Sequence, residues 1–404
     1  MLGWLRGISH LWREVRSVGQ ILALPAEQRQ LVVYSEDTFT YNQLQGYLDV
    51  LRNDYGQDII YVTSALHDPL LAAPPPRMRV FYVKQLLSSF LQRLDSGVLF
   101  LTMPDLHRFH VKRPAAGCTC VYAFHSLNSI HEVYRENAFD HYDTFLCTGP
   151  HHVRELQRHF EYRELPQPEL RECGYYKLDR IAAADADYEK QQDDPVALIA
   201  PSWGQGNLLE QHGATIVEQL LTVPDLQIIV RPHPCFFQSI YPAGQAIVEA
   251  LEARYGSSPR VTFERSIDSE SSFHESDLLI SDFSGAAFEY AFATLRPVLF
   301  VDGPRKTMNP NWQALGLPTF EDQMREQIGQ VIAHDEVGQL GATVSHLLDT
   351  REQRCNQIEQ LCDRVIFNFG ESAAAGAAII HEKIHGSPRG SAERKLQCQP
   401  SMSQ

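Results

Sequence analysis

Short apolar runs alternate along the chain with longer segments in which apolar residues recur at helical spacing. The short runs are typical of buried strands, because β-branched and aromatic residues predominate in them and turn residues bound them. They occupy residues 30–37, 58–65, 98–103, 118–123, 144–150, 196–203, 226–234, 260–264, 276–282 and 296–304. Helix-like segments separate most of these runs, so the pattern predicts βαβ units and mainly parallel sheets.

The first 25 residues differ from the rest, because apolar side chains recur there along one helix with arginines between them. The apolar positions are Trp4, Ile8, Leu11, Trp12, Val15 and Val18, and the basic ones are Arg6, Arg13 and Arg16. Two interpretations stay open: an interfacial helix resting on an anionic membrane leaflet, or an amphipathic helix docked on its own domain. The charges are too evenly spread for a signal peptide. No apolar run in the chain approaches the roughly 20 residues needed to cross a bilayer.

Apolar periodicity is lost and charge rises near residues 182–194, and the strand–helix alternation then restarts. A chain of 404 residues is long for one core, so we place an interdomain linker there. The predicted fold class is α/β, with two Rossmann-like domains whose parallel sheets face each other across a cleft. The predicted parts are an amphipathic helix at 1–25, an N-terminal domain at 26–185, a C-terminal domain at 186–335, helices at 336–385 and a disordered tail at 386–404.

The charge and the cysteine content of the chain argue against several classes of function. The net charge of −15 argues against a nucleic-acid partner, which needs a basic surface for the phosphate backbone. A local cluster of Arg, His and backbone N–H groups can still hold an anionic small substrate. The chain has eight cysteines but no CxxC pair. Reduced, buried thiols of a cytosolic protein are therefore expected, with neither a disulfide framework nor a zinc site.

Three loops of the second half follow predicted strands, at the sheet edge where parallel α/β folds bind ligands. The first loop contains Ser202, and the second contains Arg231 and His233. Arg231 offers a fork of donors that matches phosphate oxygens, and His233 can donate a hydrogen bond or carry charge.

The third loop, "SDFSGAAFE" at 281–289, leads from a strand into a helix. Ser281, Asp282, Ser284 and Gly285 form its turn, and Glu289 lies about one helical turn further on. Ser284 and the first N–H groups would present the positive end of a helix dipole to an anion, and Glu289 can reach ribose hydroxyls. Each loop also has an ordinary structural interpretation, as a strand-ending turn or a helix cap. Three such loops at one sheet edge favour a nucleotide diphosphate site.

His125 directly follows a predicted strand of the first half. Facing the cleft, it would serve as the general base that deprotonates an attacking hydroxyl. Other histidines lie near it in sequence, but their spacing matches no helical ligand pair with a carboxylate partner. These are His131, His141, His151 and His152. No metal ligand is therefore assigned, no cofactor is required, and a divalent ion stays open.

Several of these segments resemble the CDP-glycerol glycerophosphotransferases, the family of teichoic-acid polymer synthesis. The resemblance covers roughly residues 118–384 and is densest in the second half. It rests on "APSW" at 200–203, Arg231-x-His233, "SDLLISDFSGAAFE" at 276–289 and "RPVLF" at 296–300. In the first half, "FDHYDTFLCTGPHHVREL" at 139–156 and "ECGYYKLD" at 172–179 are similar to family segments.

The resemblance implies a two-domain GT-B fold with the acceptor on the N-terminal domain. It implies that His125 is the base, that Arg231 and His233 hold the donor diphosphate, and that Glu289 contacts the ribose. The phosphate loop would then be Ser281, Asp282, Ser284 and Gly285. The family's Trp-His-Gly segment reads Phe124-His125-Ser126 here. The acceptor and the transferred group therefore stay open.

The predicted activity is transfer of glycerol phosphate from CDP-glycerol to a hydroxyl of a polyprenyl-linked or glycan acceptor, with release of CMP. A cytoplasmic location at the inner face of the membrane, through the N-terminal helix, fits that activity. One alternative is a GT-B glycosyltransferase that uses a nucleotide sugar for a capsule or surface polysaccharide. Others are a sugar-nucleotide 2-epimerase-like enzyme and a non-catalytic nucleotide-binding partner.

Overall fold

A computed structural model describes residues 2–114, 117–190, 193–265 and 270–386, and it describes residues 2–9 by their backbone alone. The predicted disordered tail at 386–404 lies outside these residues from position 387 onward, as does Cys398. Also outside are the side chains of Trp4, Arg6 and Ile8.

The N-terminal domain is built on a seven-stranded parallel sheet, in which the strand order is β3-β2-β1-β4-β5-β6-β7. Its strands are β1 (Leu31–Ser35), β2 (Ile59–Thr63), β3 (Met78–Tyr82), β4 (Val98–Leu101), β5 (Thr119–Ala123), β6 (Thr144–Cys147) and β7 (Glu169–Glu172). The central strands are buried at every position, because helices cover both faces of a parallel sheet. This is why they read in the sequence as continuous apolar runs.

Helices on both sides complete this domain. They are α1 (Leu2–Leu22), α2 (Thr38–Asn53), α3 (Leu87–Arg93), α4 (Ile130–Val133), α5 (Pro150–Tyr162) and α6 (Tyr176–Ala186), with short 3-10 helices at Ala26–Gln28 and Pro69–Leu71. Asp37 begins α2 as its N-cap, and its carboxylate accepts a hydrogen bond from the backbone N–H of Thr40 at 3.0 Å. The cap fixes where the chain turns from β1 into the helix.

The C-terminal domain repeats the plan on a six-stranded parallel sheet, in which the order is β10-β9-β8-β11-β12-β13. Its strands are β8 (Val196–Ile199), β9 (Gln227–Val230), β10 (Val261–Phe263), β11 (Leu278–Ser281), β12 (Val298–Val301) and β13 (Gly329–Ile332). Its helices are α7 (Leu208–Leu221), α8 (Gly244–Tyr255), α9 (Ser271–Glu275), α10 (Gly285–Thr294), α11 (Phe320–Ile328) and α12 (Leu340–Asp349), with 3-10 helices at Pro234–Phe237, Trp312–Leu315 and His334–Gln339. The alternation predicted for both halves is confirmed.

Two C-terminal helices, α13 (Arg351–Val365) and α14 (Ser372–His385), connect the domains. Helix α13 packs against α10 and α11 of the second domain, whereas α14 crosses back to α2 and α6 of the first. The crossing is close at Gly376, where a Cβ atom would lie 2.5 Å from the ring of Tyr47. The Asp179 carboxylate accepts backbone hydrogen bonds from Gly370 and Ser372, at 2.9 and 2.8 Å. The end of the chain therefore belongs to the packing of the first domain.

Helix α1 has two different faces. The Glu14 side chain is buried, and its carboxylate accepts hydrogen bonds from the backbone N–H groups of Lys84 and Leu86, at 3.0 and 2.9 Å. The opposite face leaves large apolar side chains in solvent, with Trp12 70% exposed and Leu11 and Val15 beside it. One side of the helix is thus docked on its own domain, while an apolar strip remains uncovered. No helix of the described residues is long and apolar enough to cross a membrane.

Strands β7 and β13 were not predicted. The first reads Glu-Leu-Arg-Glu and lies at the sheet edge, where its side chains are half-buried or exposed. The second, Gly-Gln-Val-Ile, is also an edge strand, and Gly329 is required because a Cβ atom would lie 1.7 Å from the carbonyl oxygen of Val298. Neither segment is a continuous apolar run, because the side chains of both strands are only partly buried, so the apolar pattern gave no sign of them.

Candidate active site

A cleft of about 680 Å³ opens between the two domains at the carboxyl ends of their strands. Six of the predicted residues line it: His125, Ser202, His233, Asp282, Ser284 and Gly285. They follow different strands, and parallel strands bring their carboxyl ends to one edge of each sheet. Residues far apart in sequence therefore meet across a single opening.

His125 lies just beyond β5, and a hydrogen bond to a backbone carbonyl group fixes the orientation of its ring. Its Nδ1 is 2.9 Å from the carbonyl oxygen of Thr102. A carbonyl oxygen only accepts, so Nδ1 carries the proton and Nε2 keeps its lone pair. Nε2 is 3.3 Å from the hydroxyl of Tyr134. Burial lowers the pKa of His125 below its ordinary value, so the ring is neutral near pH 7 and can accept a proton.

The side chains of Ser281 and Asp282, two residues of the predicted phosphate loop, are engaged in hydrogen bonds within the protein. Ser281 is fully buried in β11, and its hydroxyl donates a hydrogen bond to the carbonyl oxygen of Ala200 at 2.7 Å. The Asp282 carboxylate accepts hydrogen bonds from the backbone N–H and hydroxyl of Ser202, at 2.7 and 2.8 Å, and from Leu208 N–H at 3.1 Å. Asp282 therefore holds the β8–α7 loop in place, and the Ser202 hydroxyl is engaged in that contact.

The start of α10 lies at the bottom of the cleft. Ser284 is its N-cap residue, and its side chain makes no capping hydrogen bond to the described residues. The first N–H groups of the helix therefore have no cap from the Ser284 side chain, and they lie at the positive end of the helix dipole. At Gly285 a Cβ atom would lie 2.4 Å from Oδ1 of Asn128. Glycine is thus needed for the first domain to approach this helix.

His233 and Lys306 are two nitrogen-bearing side chains of the second domain that line the cleft. The pKa of His233 is lowered to about 4 by burial and by Lys306 and Arg231, so the imidazole is neutral at pH 7. Burial also lowers the pKa of Lys306. The Lys306 ammonium lies 5.3 Å from the ring centre of Trp203 and has no hydrogen bond or ion pair with the described residues. It is available to an anion in the cleft.

Arg231 and Glu289 lie in an adjoining pocket of about 320 Å³, the donor-side pocket, which shares His233 and Ser284 with the cleft. The Arg231 guanidinium lies 5.0 Å from the ring centre of Phe273 and 3.5 Å from the Glu264 carboxylate. The buried Glu289 carboxylate is 2.6 Å from the ammonium of Lys177. The predicted donor residues are therefore divided between two connected pockets.

Residues 128–132 of the first domain, which include the start of α4, contact the second domain beside the cleft. The Glu132 carboxylate accepts hydrogen bonds from Arg305 at 2.8 Å and from the Thr307 hydroxyl at 2.9 Å. Asn128 donates a hydrogen bond to Glu321 at 2.8 Å. Burial raises the pKa of Glu321 to about 6. These contacts hold the two sides of the cleft together at one end.

Sequence reasoning missed Lys306, Arg305 and this interdomain contact. A signal was present, because Arg305 and Lys306 follow the Asp-Gly-Pro that ends the β12 segment, at the same sheet edge as the other loops. The partners Asn128 and Glu321 are separated by 193 residues, and no local pattern links them.

Three of the four other histidines named from the sequence, His131, His151 and His152, have hydrogen-bond or ion-pair partners within the first domain, and the His141 ring lies 5.0 Å from that of His107. His151 Nε2 lies 2.9 Å from the Leu127 carbonyl oxygen, and His131 Nδ1 lies 3.1 Å from the Glu155 carboxylate. In the part of the chain that the structure describes, no group of three or more His, Cys, Asp and Glu side chains is arranged to hold a metal ion.

A family model described as CDP-glycerol:poly(glycerophosphate) glycerophosphotransferase matches residues 126–304. The matched range holds the three predicted loops of the second domain and begins one residue after His125. No curated protein gives a significant sequence match to the chain.

Solved structures share the fold. The wall teichoic acid polymerase TagF superposes with a TM-score of 0.60 at 14% identity, over 95% of this chain and 98% of that one. UDP-bound MnaA of S. aureus gives a TM-score of 0.58 at 13% identity, over 87% and 95% of the two chains. Anabaena Alr3699/HepE, in complex with UDP and glucose, gives 0.51 at 11% identity, over 89% and 100%.

At these identities the structural likeness concerns the fold, and the predicted GT-B class is confirmed. The enzyme class and the resemblance to the family rest on the sequence match, which confirms both. The chain is a transferase of GT-B fold whose residues 126–304 match the glycerophosphotransferase family.

Proposed function

We propose that this protein transfers glycerol phosphate from CDP-glycerol to a hydroxyl of a membrane-linked or surface-glycan acceptor, releasing CMP. The observation that carries the proposal is the arrangement of His125. Its Nδ1–H is held by the Thr102 carbonyl, and its ring lines a cleft that also contains the start of α10, His233 and Lys306. A neutral base and a cationic anion site on two sides of one opening suit phosphoryl transfer to a hydroxyl.

The donor diphosphate would lie where the cleft and the donor-side pocket meet, at His233 and Ser284. The N–H groups of α10, the Lys306 ammonium and His233 would surround its oxygens. The ribose would then extend toward Glu289, beside Arg231 and Lys177. Ser202 and Asp282 would act on the donor indirectly, by holding the loop that carries Trp203.

In the transfer step, the acceptor oxygen forms a bond to the glycerol-bearing phosphorus. The bridging P–O bond breaks, and its electron pair leaves with CMP. The acceptor proton passes to Nε2 of His125, which becomes an imidazolium. Lys306 and the helix N-terminus would stabilise the charge that develops on the bridging oxygen.

The exposed strip of α1 would hold the enzyme at the inner face of the membrane. Leu11, Trp12 and Val15 form an apolar face, and Arg13 and Arg16 on the same helix suit anionic headgroups. Flotation with anionic vesicles tests this part separately. Trp12→Ala should reduce binding, while Tyr162→Ala, which removes an exposed aromatic of α5, should not. Equal binding by both variants would contradict the membrane role.

The activity is tested by calorimetric binding of CDP-glycerol, CMP, UDP-glucose and GDP-mannose, with Lys306→Met as the matched binding variant. Preferential binding of the cytidine nucleotides, weakened in Lys306→Met, supports the proposal. Preference for a uridine or guanosine sugar would contradict it and favour glycosyl transfer in the same cleft. His125→Ala should leave donor binding intact and lower the transfer rate by about 10²- to 10⁴-fold.

A further inference from the structure

A second opening meets His125 from within the first domain. This N-domain pocket, of about 290 Å³, is lined by Glu36, Asp37, Phe39, Thr40, Gln43, Thr102, Met103, Pro104 and His125. It shares His125 with the cleft, and it shares Phe39 and Gln43 with the donor-side pocket. A molecule in it would therefore contact the His125 ring from within the first domain, next to the donor-side pocket.

The charge of this pocket is opposite to that of the donor region. Its described lining contains two carboxylates, Glu36 and Asp37, and neither Lys nor Arg. The Asp37 carboxylate is engaged by the first turn of α2, whereas the half-exposed Glu36 pairs with the imidazole of His110 at 3.4 Å. A phosphodiester here would meet negative charge at short range, and the interaction would be repulsive.

The remaining lining suits a neutral, hydroxyl-rich molecule. Phe39 is 40% exposed and offers an aromatic face to the C–H side of a sugar or polyol. The amide oxygen of Gln43 has no hydrogen-bond partner among the described residues, so the carboxamide is able to turn toward a hydroxyl. Aromatic surface with a few polar groups is typical of small-molecule sites.

We propose that the N-domain pocket receives the reactive end of the acceptor, and that this end is an uncharged sugar or polyol and not a glycerol phosphate unit. The inference rests on the proposed function, because it assigns the substrate class on the acceptor side of His125. Basic side chains do occur nearby, at Arg108 and Lys112, but they belong to the following loop and lie outside the pocket lining.

The test compares two acceptors that share an octyl chain, a neutral disaccharide and a glycerol phosphate trimer. With CDP-glycerol as donor, we expect kcat/KM for the disaccharide to exceed that for the trimer by at least about tenfold. Phe39→Ala should raise KM for the disaccharide with little change in kcat. Glu36→Gln should improve use of the trimer by about three- to tenfold, because one negative charge is removed. Glu27→Gln, which neutralises an exposed carboxylate outside the pocket, should change neither acceptor.

Preference for the trimer, or indifference of both acceptors to Phe39→Ala and Glu36→Gln, would overturn the inference. Two further readouts separate it from the proposed function. Slow hydrolysis of CDP-glycerol without acceptor should be unchanged in Glu36→Gln, because Glu36 lines the N-domain pocket and neither the cleft nor the donor-side pocket. Equilibrium binding of the two octyl compounds without donor tests the pocket directly, and tighter binding of the trimer would refute the charge argument even if no transfer occurs.

Discussion

The Asp282→Asn substitution distinguishes two roles for the Asp282 carboxylate. It either positions the loop that carries Ser202 or faces the phosphates of the donor directly. Asp282 lines the cleft but is 6% exposed, and its oxygens accept hydrogen bonds from two groups of Ser202 and from the N–H of Leu208. If it positions the loop, loss of its charge should weaken donor binding. If it faced the donor phosphates directly, the same loss should strengthen binding. The two roles predict opposite signs.

The magnitude follows from the contacts. Asparagine keeps one oxygen acceptor, but its NH₂ group cannot accept a hydrogen bond. Either the Ser202 N–H or the Leu208 N–H then faces the NH₂ group of the asparagine, which is itself a hydrogen-bond donor. One buried, unsatisfied N–H costs about 1–3 kcal/mol, so we expect the free energy of unfolding to fall by about 2 kcal/mol. Loosening of the loop should weaken CDP-glycerol binding by about tenfold, which corresponds to about 1.4 kcal/mol.

Urea unfolding measures the change in the free energy of unfolding, and calorimetric titration measures the change in affinity for CDP-glycerol. Asp335→Asn is the matched control, because it makes the same change in an exposed 3-10 helix and should stay within about 0.5 kcal/mol of the wild type. Tighter donor binding by Asp282→Asn, or unchanged stability together with unchanged affinity, would refute the positioning role.

Three other changes test different parts of the structure. For the pH dependence of the transfer rate, His125 acts as a base whose pKa lies below that of a free imidazole. The rate should therefore be flat above pH 7 and fall only in acid, and a rate that still rises between pH 7 and 8 would contradict this. Glu321→Gln should remove a pH-dependent loss of stability. The pKa of Glu321 is raised to about 6 in the folded state, so its contribution is present below its unfolded pKa and about 2 kcal/mol is lost as pH rises through 6. Urea midpoints of wild type and variant at pH 4 and 7 measure the difference, and parallel pH profiles would refute it. Gly285→Ala should lower both stability and transfer, because its Cβ would lie 2.4 Å from Asn128 Oδ1. The double variant with Asn128→Ala should recover part of that loss if the clash is its cause, and simple additivity would exclude it.

The sequence by itself determined the architecture. Apolar runs that are buried on both faces identified the central strands of both sheets, and the helical segments between them required parallel order. The same pattern placed Ser202, Arg231, His233 and Ser284 after strands, and hence at one sheet edge. Those inferences succeed because side-chain periodicity and strand direction are local properties of the chain.

Only the tertiary structure decided what each side chain does. Ser281 and Asp282 occur in a phosphate-loop pattern, yet one is buried in a strand and the other holds the Ser202 loop. Lys306 became a candidate because the folded cleft leaves its ammonium facing an opening. Hydrogen-bond partners such as Asn128 and Glu321 come from different domains. The sequence determines the chemical nature of each side chain. Its burial, its charge environment and its hydrogen-bond partners depend on which distant segments pack together.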